Sequence, residues 1–362
     1  MTRSRVLNIA SNICSIVLAV VFIFSGFVKS VDPWGTAIKV NEYLHSFGWD
    51  WAAGYHFGFA ILLCGAELML GLMMLLRAYR SLVSLLTMVA MTIFTGITLY
   101  IAFWGTVEDC GCFGDAIKLT NLQTFYKNLA LWPMSVLVWF TLRHERLLYL
   151  SKRELIKTAA VACLSFGVGT YCYLHLPLID FLPYKEGLDL RSAVIDSEGE
   201  VKAVFVCRNL QSGELREFSD TDTTWYDSSV WEFVESREIA SQTRNMSLAE
   251  FSIFDAEGTY TEEILGYEGR IHLICVMKLD MMTERCRERL TTFVEEAVAR
   301  GERAVVITSD RIDNVPYLEL GHQLPVYNID ATTLMTMLRA KTGVVTLRDG
   351  VIEQKRNCRD VK

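Results

Sequence analysis

The chain has 362 residues, of which 51% are hydrophobic and 21% charged, and its formal net charge is −7 at pH 7. Soluble proteins of this length are usually less apolar and more charged. The acidic balance argues against a nucleic-acid partner, because phosphate binding needs clustered lysine and arginine. Since the long apolar runs lie in residues 1–178, the composition predicts a membrane part followed by a soluble part.

Apolar runs long enough to cross a bilayer, which takes roughly 20 residues, occur in five places. They are Val6–Val28, Tyr55–Leu76, Ser81–Trp104, Phe125–Leu142 and Leu155–Leu174. The first run is too long for a signal peptide and lacks a small-residue cleavage site, so we expect it to be retained. Between the first two runs, Asp32-Pro33 is typical of a helix start and predicts a short helix in the first outer loop.

The placement of lysine and arginine predicts the orientation of these runs. The basic residues next to them are Arg3, Arg5, Arg77, Arg80, Arg143, Arg146, Lys152, Arg153 and Lys157. If every run crosses, all of them fall on one side, which the positive-inside rule makes cytoplasmic. The amino terminus is then cytoplasmic, and everything after Leu174 lies outside the cytoplasm.

Glu67 lies in the middle of the second run, where inserting a charged side chain costs about 2.5–3.5 kcal/mol. It must therefore face the helix bundle, and Lys29 at the outer end of the first run is a candidate partner. Two interpretations stay open. Either Glu67 handles protons or binds a ligand, or it makes a structural hydrogen bond to Asn8, Asn12 or a threonine of the third run.

Cys110-Gly111-Cys112 follows the third run directly and is expected outside the cytoplasm. Two Cα atoms at this spacing lie at most about 7 Å apart, so a disulfide forms only if the chain bends at Gly111. Such a ring is strained and easily reduced. Thiol–disulfide exchange, a structural role with each cysteine bonded elsewhere, and metal binding all stay open. We assign no metal, because a closed zinc site needs two more ligands.

Alternating short strands and helices follow Pro183. A hairpin is predicted for Val201–Cys207 with Leu215–Phe218. The later elements are strand Phe251–Phe254, strand Ile271–Met277, helix Glu284–Arg300, strand Ala304–Thr308, strand Pro325–Asn328, helix Ala331–Arg339, and a hairpin of Val344–Leu347 with Val351–Gln354. Asp349-Gly350 between the last two strands is a strong hairpin signal. This is the element order of thioredoxin, with a sheet covered on both faces.

Residues 5–145 resemble the MauE/DoxX group of membrane proteins. The matching stretches are Phe24-Ser25-Gly26-Phe27-Val28-Lys29, Asp32-Pro33, Gly65-Ala66-Glu67-Leu68 with Gly71, Cys110-Gly111-Cys112-Phe113-Gly114-Asp115, and Asn128. The resemblance implies a four-helix membrane domain tied to redox reactions or disulfide maturation in the periplasm. DoxX relatives are linked to quinone-coupled sulfur oxidation, so a quinone is a candidate cofactor.

Residues 250–356 resemble a thioredoxin fold of the TlpA type, and the whole arrangement resembles a DoxX-like class from Bacteroidetes. The domain is degenerate, because Thr283-Glu284-Arg285-Cys286 stands where a thioredoxin has Cys-x-x-Cys. Thr342 stands where a thioredoxin has its cis-proline. We therefore expect the domain to bind, present or position something, with Cys286 as a further candidate for catalysis.

These patterns together predict a multi-pass α-helical membrane bundle followed by an α/β thioredoxin-like domain. The expected parts are a four-helix domain (1–145), a cytoplasmic loop with a fifth membrane helix (146–180), a β-rich extracytoplasmic linking region (181–249) and the degenerate thioredoxin-like domain (250–362). The expected location is the bacterial inner membrane, with the carboxy-terminal domain in the periplasm.

The predicted function is thiol–disulfide or quinone-linked redox chemistry, with membrane lipid and a periplasmic thiol protein as partners. Cys110 and Cys112 are the candidate redox pair, and Glu67 with Lys29 are the candidate cofactor-binding residues. Whether the chain is an enzyme stays open. The alternative is a membrane-anchored, non-catalytic scaffold, and a third option is a carrier of a small molecule, which Glu67 alone supports.

Overall fold

The computed structural model describes residues 2–104, 111–117, 119–147, 151–198, 202–210, 213–219, 230–239, 248, 251–310 and 317–361. The chain divides into two compact units, Met1–Leu182 and Pro183–Lys362. The first is helical, and the second combines helices with two sheets.

The helices of the first unit are α1 (Thr2–Val31), α2 (Pro33–Ser46), α3 (His56–Leu75), α4 (Arg80–Trp104), α5 (Asn121–Leu142) and α6 (Lys152–Leu174), with a short 3₁₀ helix at Asp50–Tyr55 before α3. Among the described residues, four stretches are long and apolar enough to cross a membrane: Arg5–Val31, Asp50–Leu75, Arg80–Trp104 and Lys152–Leu174. Four of the five predicted runs are thus confirmed as candidate spans. The predicted loop helix is α2, and the Asp32 carboxylate caps it by accepting from the Gly35 amide at 2.9 Å.

Helix α5 covers the remaining run, Phe125–Leu142, but is not among the four candidate spans. Its first half carries the polar residues Lys127 and Asn128. It nevertheless packs against α1 and α4, and its buried face extends along most of its length, from Thr124 to Leu142. A membrane crossing by α5 stays a prediction, which this packing supports.

Helices α1 and α3 pack most closely where two glycines face the neighbouring backbone. A Cβ atom on Gly26 would lie 2.3 Å from the Leu68 nitrogen, and one on Gly71 would lie 2.6 Å from the Ile23 nitrogen. Since real side chains do not tolerate such distances, any larger residue at either position would separate the two helices. This close approach places the middle of α3 directly against the outer half of α1.

The membrane unit is apolar on its inside and on its outside. Its core is formed by Leu18, Ala19, Phe22, Met73, Met74, Ala78, Tyr79, Val83, Met91, Leu131, Val138, Leu142 and Val161. Large apolar side chains also lie on its surface, for example Ile9, Ile13, Val20, Leu62, Ile93 and Leu164. A helix that is hydrophobic all round is typical of a membrane span rather than of a water-soluble bundle.

The second unit contains a three-stranded antiparallel sheet and a six-stranded mixed sheet. The strands are β1 (Lys202–Asn209), β2 (Leu215–Ser219), β3 (Trp231–Ile239), β4 (Arg270–Val276), β5 (Arg303–Thr308), β6 (Tyr317–Leu320), β7 (His322–Asn328), β8 (Thr342–Arg348) and β9 (Val351–Asn357). The larger sheet has the order β6-β7-β5-β4-β8-β9. Its helices are α7 (Leu190–Glu198), α8 (Thr261–Leu265), α9 (Glu284–Ala299) and α10 (Ala331–Leu338).

The central strand β4 is buried on both faces and sets the thioredoxin-like arrangement. Leu273 pairs in parallel with Val305 of β5 and antiparallel with Val345 of β8. Helix α9 connects β4 to β5, and its buried residues, which include Leu290 and Val294, pack on the sheet. The parallel β4, β5 and β7 with the antiparallel hairpin β8–β9 form the predicted α/β thioredoxin-like domain.

The hairpin predictions are confirmed. β1 and β2 pair antiparallel, and so do β8 and β9. In the β8–β9 turn, Asp349 and Gly350 have φ values of 52° and 83°. Positive φ at both central residues is what a two-residue hairpin turn of type I′ requires. Helix α9 ends just before Gly301, whose φ is 75°.

Other local predictions were incomplete. Phe251–Phe254 is not a strand, because only Phe254 makes isolated bridges, to Thr259 and Asn328. The prediction failed there because an alternating apolar pattern also fits an extended segment that packs on a sheet without joining it. Helix α7 and strands β3 and β6 were not predicted. The segment before α7 lies along the larger sheet, with the Leu190 amide donating to the Gly350 carbonyl at 2.9 Å.

Candidate functional site

A buried ion pair joins α1 and α3. Lys29 Nζ lies 2.8 Å from Glu67 Oε1 and 2.9 Å from Oε2, and the two side chains are only 9% and 5% exposed. The close packing at Gly26 brings these residues together, because Lys29 follows Gly26 by almost one helical turn and Glu67 precedes Leu68. The predicted pairing of Lys29 with Glu67 is thus what the structure shows.

Ser25 links this ion pair to the cysteine loop. Its Oγ lies 2.8 Å from Glu67 Oε2 and 2.8 Å from the backbone oxygen of Cys112. A hydroxyl has one hydrogen to donate, and a carbonyl oxygen only accepts. The single hydrogen of the Ser25 hydroxyl is therefore shared between the Glu67 carboxylate and the Cys112 carbonyl. This one hydroxyl thus links the Glu67 carboxylate to the backbone of the Cys112 loop.

The loop that carries Cys112 is anchored by an aromatic residue. The Phe113 ring packs edge-on against Phe24 of α1 at 5.3 Å, and Lys127 of α5 lies 4.2 Å from its centroid. Gly111 has a φ of 59°, which an L-residue rarely adopts, so the bend that the sequence predicts at this glycine is present. Cys110 lies outside the described residues, and its pairing with Cys112 as a redox couple stays a prediction.

A cavity of about 270 Å³ opens between α1, α2, α3, α4 and α5 beside these groups. Most of its wall is apolar, with Phe22, Met91, Phe94 and Leu131 among the lining residues. The polar residues of its wall include Ser25, Lys29, Glu67, Thr98, Cys112, Lys127 and Asn128. The Asn128 amide donates to Thr98 Oγ1 at 3.3 Å, which orients both side chains. An apolar wall with a few converging polar groups is typical of a small-molecule site.

In the second unit, Cys286 is not a free thiol but forms a disulfide with Cys358. Cys286 lies in the first turn of α9, and Cys358 begins a short 3₁₀ helix, Cys358–Asp360, that follows β9. The spacing of the cysteines did not predict this pairing. Burial raises the pKa of the Cys275 thiol on β4 to about 12.

A separate polar cluster lies between β4, β8 and the turn after α9. Burial lowers the pKa of His272 in spite of its Glu302 partner, which disfavours the protonated imidazole. Its Nε2 donates to Glu302 Oε2 at 3.0 Å, and its Nδ1 accepts from the Thr346 hydroxyl at 3.0 Å. Burial alone would raise the pKa of Glu302, but hydrogen bonds from His272, Arg300 and Arg270 outweigh it and lower the pKa to about 2.

The structure thus brings three predicted site residues, Lys29, Glu67 and Cys112, to one cavity. Cys286 lies in the other unit. Sequence reasoning gave no role to Ser25, Thr98 or Asn128. Ser25 and Asn128 do stand in the stretches that resemble the MauE/DoxX group, which is the signal that could have found them. Within the part of the chain that the structure describes, no group of three or more His, Cys, Asp or Glu side chains could hold a metal ion.

The fold and the cavity define a membrane protein with a helical bundle and a thioredoxin-like domain in one chain. Residues 7–141 match the family model for methylamine utilisation protein MauE. Helices α1 to α5 are thus similar to MauE over nearly their whole length.

A similarity to one curated protein adds to this finding. Over 130 residues, 35% of the chain, it is 28% identical to Protein TlpB of Flavobacterium psychrophilum. The match spans about a third of that relative's length, 35%. No solved structure matches the chain significantly.

Proposed function

We propose that this chain is an inner-membrane thiol–disulfide oxidoreductase that oxidises a periplasmic dithiol and passes the electrons to a quinone-class acceptor. The observation that carries the proposal is the Ser25 contact, which connects the Cys112 loop to the buried Lys29–Glu67 pair at the wall of an apolar cavity. The similarity to MauE and the thioredoxin-like domain on the same chain support a thiol-related role.

Charge placement supports the orientation that this function needs. Arg77 and Arg80 lie at one end of the bundle, between α3 and α4, as do the basic residues between α5 and α6. The Cys112 loop lies between α4 and α5, at the other end. By the positive-inside rule, this loop and the thioredoxin-like domain belong in the periplasm.

Oxidation of the Cys110 and Cys112 thiols to a disulfide releases two electrons and two protons. A quinone held in the cavity would supply an acceptor for two electrons and two protons. The residues present fit such a group, because the wall is apolar and carries hydrogen-bond donors on Lys29 and Asn128. Two of the three N–H donors of the Lys29 ammonium contact Glu67, which leaves the third to orient a ligand oxygen.

Proton movement falls to Glu67 and Ser25 in this proposal. Glu67 accepts a proton through Ser25 when the thiols are oxidised and returns it toward the cavity. Because Lys29 stays beside Glu67, the carboxylate is stabilised between these steps. The pair is neutral overall while Glu67 is ionised, and it carries one positive charge, on Lys29, while Glu67 holds the proton.

The test uses the full chain, reduced and reconstituted in lipid nanodiscs without oxygen. A short-chain ubiquinone analogue is added, and thiol loss is followed by alkylation and mass mapping while quinone absorbance is recorded. We expect one quinone reduced per dithiol lost, and we expect Cys112→Ser to abolish both signals. The matched control is Cys163→Ser, which removes an exposed thiol of α6 and should leave the rate unchanged. Unchanged thiols in the wild-type chain would refute the proposal.

A membrane-anchored scaffold is the second candidate. It is favoured by the thioredoxin-like domain, which keeps the complete sheet order although Thr283 stands in place of the first active-site cysteine. The scaffold predicts that a Cys110→Ser, Cys112→Ser double variant supports growth like the wild type under conditions that require the protein. The oxidoreductase predicts that the same variant behaves like a deletion.

A further inference from the structure

We propose that Cys286 and Cys358 form a second thiol-exchange site, in which protein dithiols attack the Cys286 sulfur and Cys358 is the leaving group. The two Cα atoms are 5.7 Å apart, within the range of an ordinary disulfide. The bond joins the first turn of α9 to the segment after β9, across 72 residues of sequence. The site goes beyond the membrane function proposed above and does not depend on it.

Exposure determines which sulfur can be attacked. Cys286 is half-buried, whereas Cys358 is only 2% exposed. A partner thiolate must approach the sulfur in line with the bond that breaks, so only Cys286 offers access. This asymmetry distinguishes the pair from a disulfide that is buried at both ends and serves only to hold the fold.

The position of Cys286 on its helix and the charged residues around it bear on its reactivity. Cys286 lies near the N-terminus of a 16-residue helix, where the helix dipole stabilises negative charge. Its backbone amide bonds to the Thr283 hydroxyl, which caps the helix. Arg285 and Arg287 flank it in sequence, and the Arg289 guanidinium donates to the Arg359 carbonyl beside Cys358. A helix N-terminus and nearby arginines make a cysteine more reactive, whereas Glu284 and Glu288, two residues away on either side, oppose this.

The other described cysteines of this unit are poorly suited to exchange. Burial raises the pKa of the Cys275 thiol to about 12, so almost no thiolate forms at neutral pH. Burial also raises the pKa of the Cys207 thiol on β1. Among the residues that the structure describes here, exchange is therefore confined to Cys286 and Cys358.

The reaction balances without a further oxidant. The first thiolate of the partner forms a bond to the Cys286 sulfur, the Cys286–Cys358 bond breaks, and Cys358 leaves as a thiolate that takes up a proton. The second thiol of the partner then attacks the partner's own sulfur and releases Cys286. The partner dithiol is oxidised to a disulfide, and the Cys286–Cys358 pair is reduced to a dithiol.

The test uses the full chain in nanodiscs, equilibrated in glutathione buffers of increasing reduced-to-oxidised ratio. Alkylation with mass mapping measures each cysteine separately. We expect the Cys286–Cys358 bond to pass from oxidised to reduced within these buffers, while thermal unfolding shows that the fold persists. In Cys358→Ser, oxidised glutathione should form an adduct on Cys286. In Cys286→Ser, the adduct on Cys358 should form at least tenfold more slowly.

Two controls keep the result specific. Cys275→Ser should leave the titration unchanged, because that thiol is buried in the sheet. Cys112→Ser should also leave it unchanged, so a failure of the membrane function does not affect this experiment. A bond that stays oxidised in every buffer in which the chain is folded would overturn the proposal, and so would equal adduct rates on Cys286 and Cys358. If a serine variant does not fold, the wild-type titration decides.

Discussion

Replacing Lys29 with methionine leaves the Glu67 carboxylate buried between α1 and α3 without its cation. The two side chains are 9% and 5% exposed, so the pair counts as buried. Removing one partner of a buried pair costs about 3–5 kcal/mol. Because the hydrogen bond from Ser25 to Glu67 remains, we expect a cost at the lower end of this range, about 3 kcal/mol. The ratio of folded to unfolded chain should then fall more than about a hundredfold.

The double variant Lys29→Met, Glu67→Met should be more stable than Lys29→Met. It removes both charges and fills the space with flexible apolar side chains. We expect its free energy of unfolding to lie within about 1 kcal/mol of the wild type. The matched control is Lys39→Met, which breaks a pair with Glu42 whose side chains are 27% and 39% exposed. That change should cost less than about 1 kcal/mol.

The assay is unfolding of the purified chain in mixed micelles, followed by tryptophan fluorescence as the denaturing detergent fraction rises. Two results would refute the reasoning: a Lys29→Met variant as stable as the Lys39→Met control, or a double variant less stable than the single one. In these variants, quinone reduction and the free energy of unfolding should change independently. The folded double variant should no longer reduce a quinone, because its cavity has lost the charged pair.

Further predictions concern helix packing, acid stability and thiol reactivity. Gly71→Ala should destabilise the chain by about 1–3 kcal/mol in the same unfolding assay, because its Cβ would lie 2.6 Å from the Ile23 nitrogen, whereas Gly96→Ala, with open space around it, should not. Because the pKa of Glu302 is lowered from 4.5 to about 2, its ionised form stabilises the fold above pH 4.5, and this contribution is lost as the pH falls toward 2. In Glu302→Gln, the melting temperature should depend less on pH across that interval than it does in the wild type. A pH dependence equal to that of the wild type would contradict the prediction. Cys275 should resist iodoacetamide at pH 8 until the chain is unfolded, as mass mapping can show.

Much of the fold could be predicted because its signals are local. Apolar runs of about 20 residues identify membrane helices by length alone. Strand β4 contains the apolar run Leu273–Val276, and Asp349-Gly350 specifies a tight turn by its backbone preference. The pairing of Lys29 with Glu67 could also be predicted, since a charged side chain at mid-membrane depth needs a partner and few partners are available there.

The parts that escaped prediction depend on long-range contacts. Cys358 lies 72 residues from Cys286, and nothing in the spacing of the cysteines indicates that β9 delivers it to the first turn of α9. Strand β3 joins its sheet only through pairing with β1, which a local pattern does not encode. Helix α5 was predicted as a span from its apolar residues alone, and only the structure shows that its polar Asn128 has a partner in Thr98 of α4.

The close packing of α1 and α3 also determines which experiments can separate structure from chemistry. Gly26 lies between Ser25 and Lys29, so the turn of α1 that approaches Leu68 is the same turn that carries both polar partners of Glu67. Any larger residue at Gly26 therefore disturbs packing and site together, and a loss of activity there says nothing about mechanism. Changes that keep the helix contact and remove only the charges, as in the paired methionine variant, test the chemistry itself.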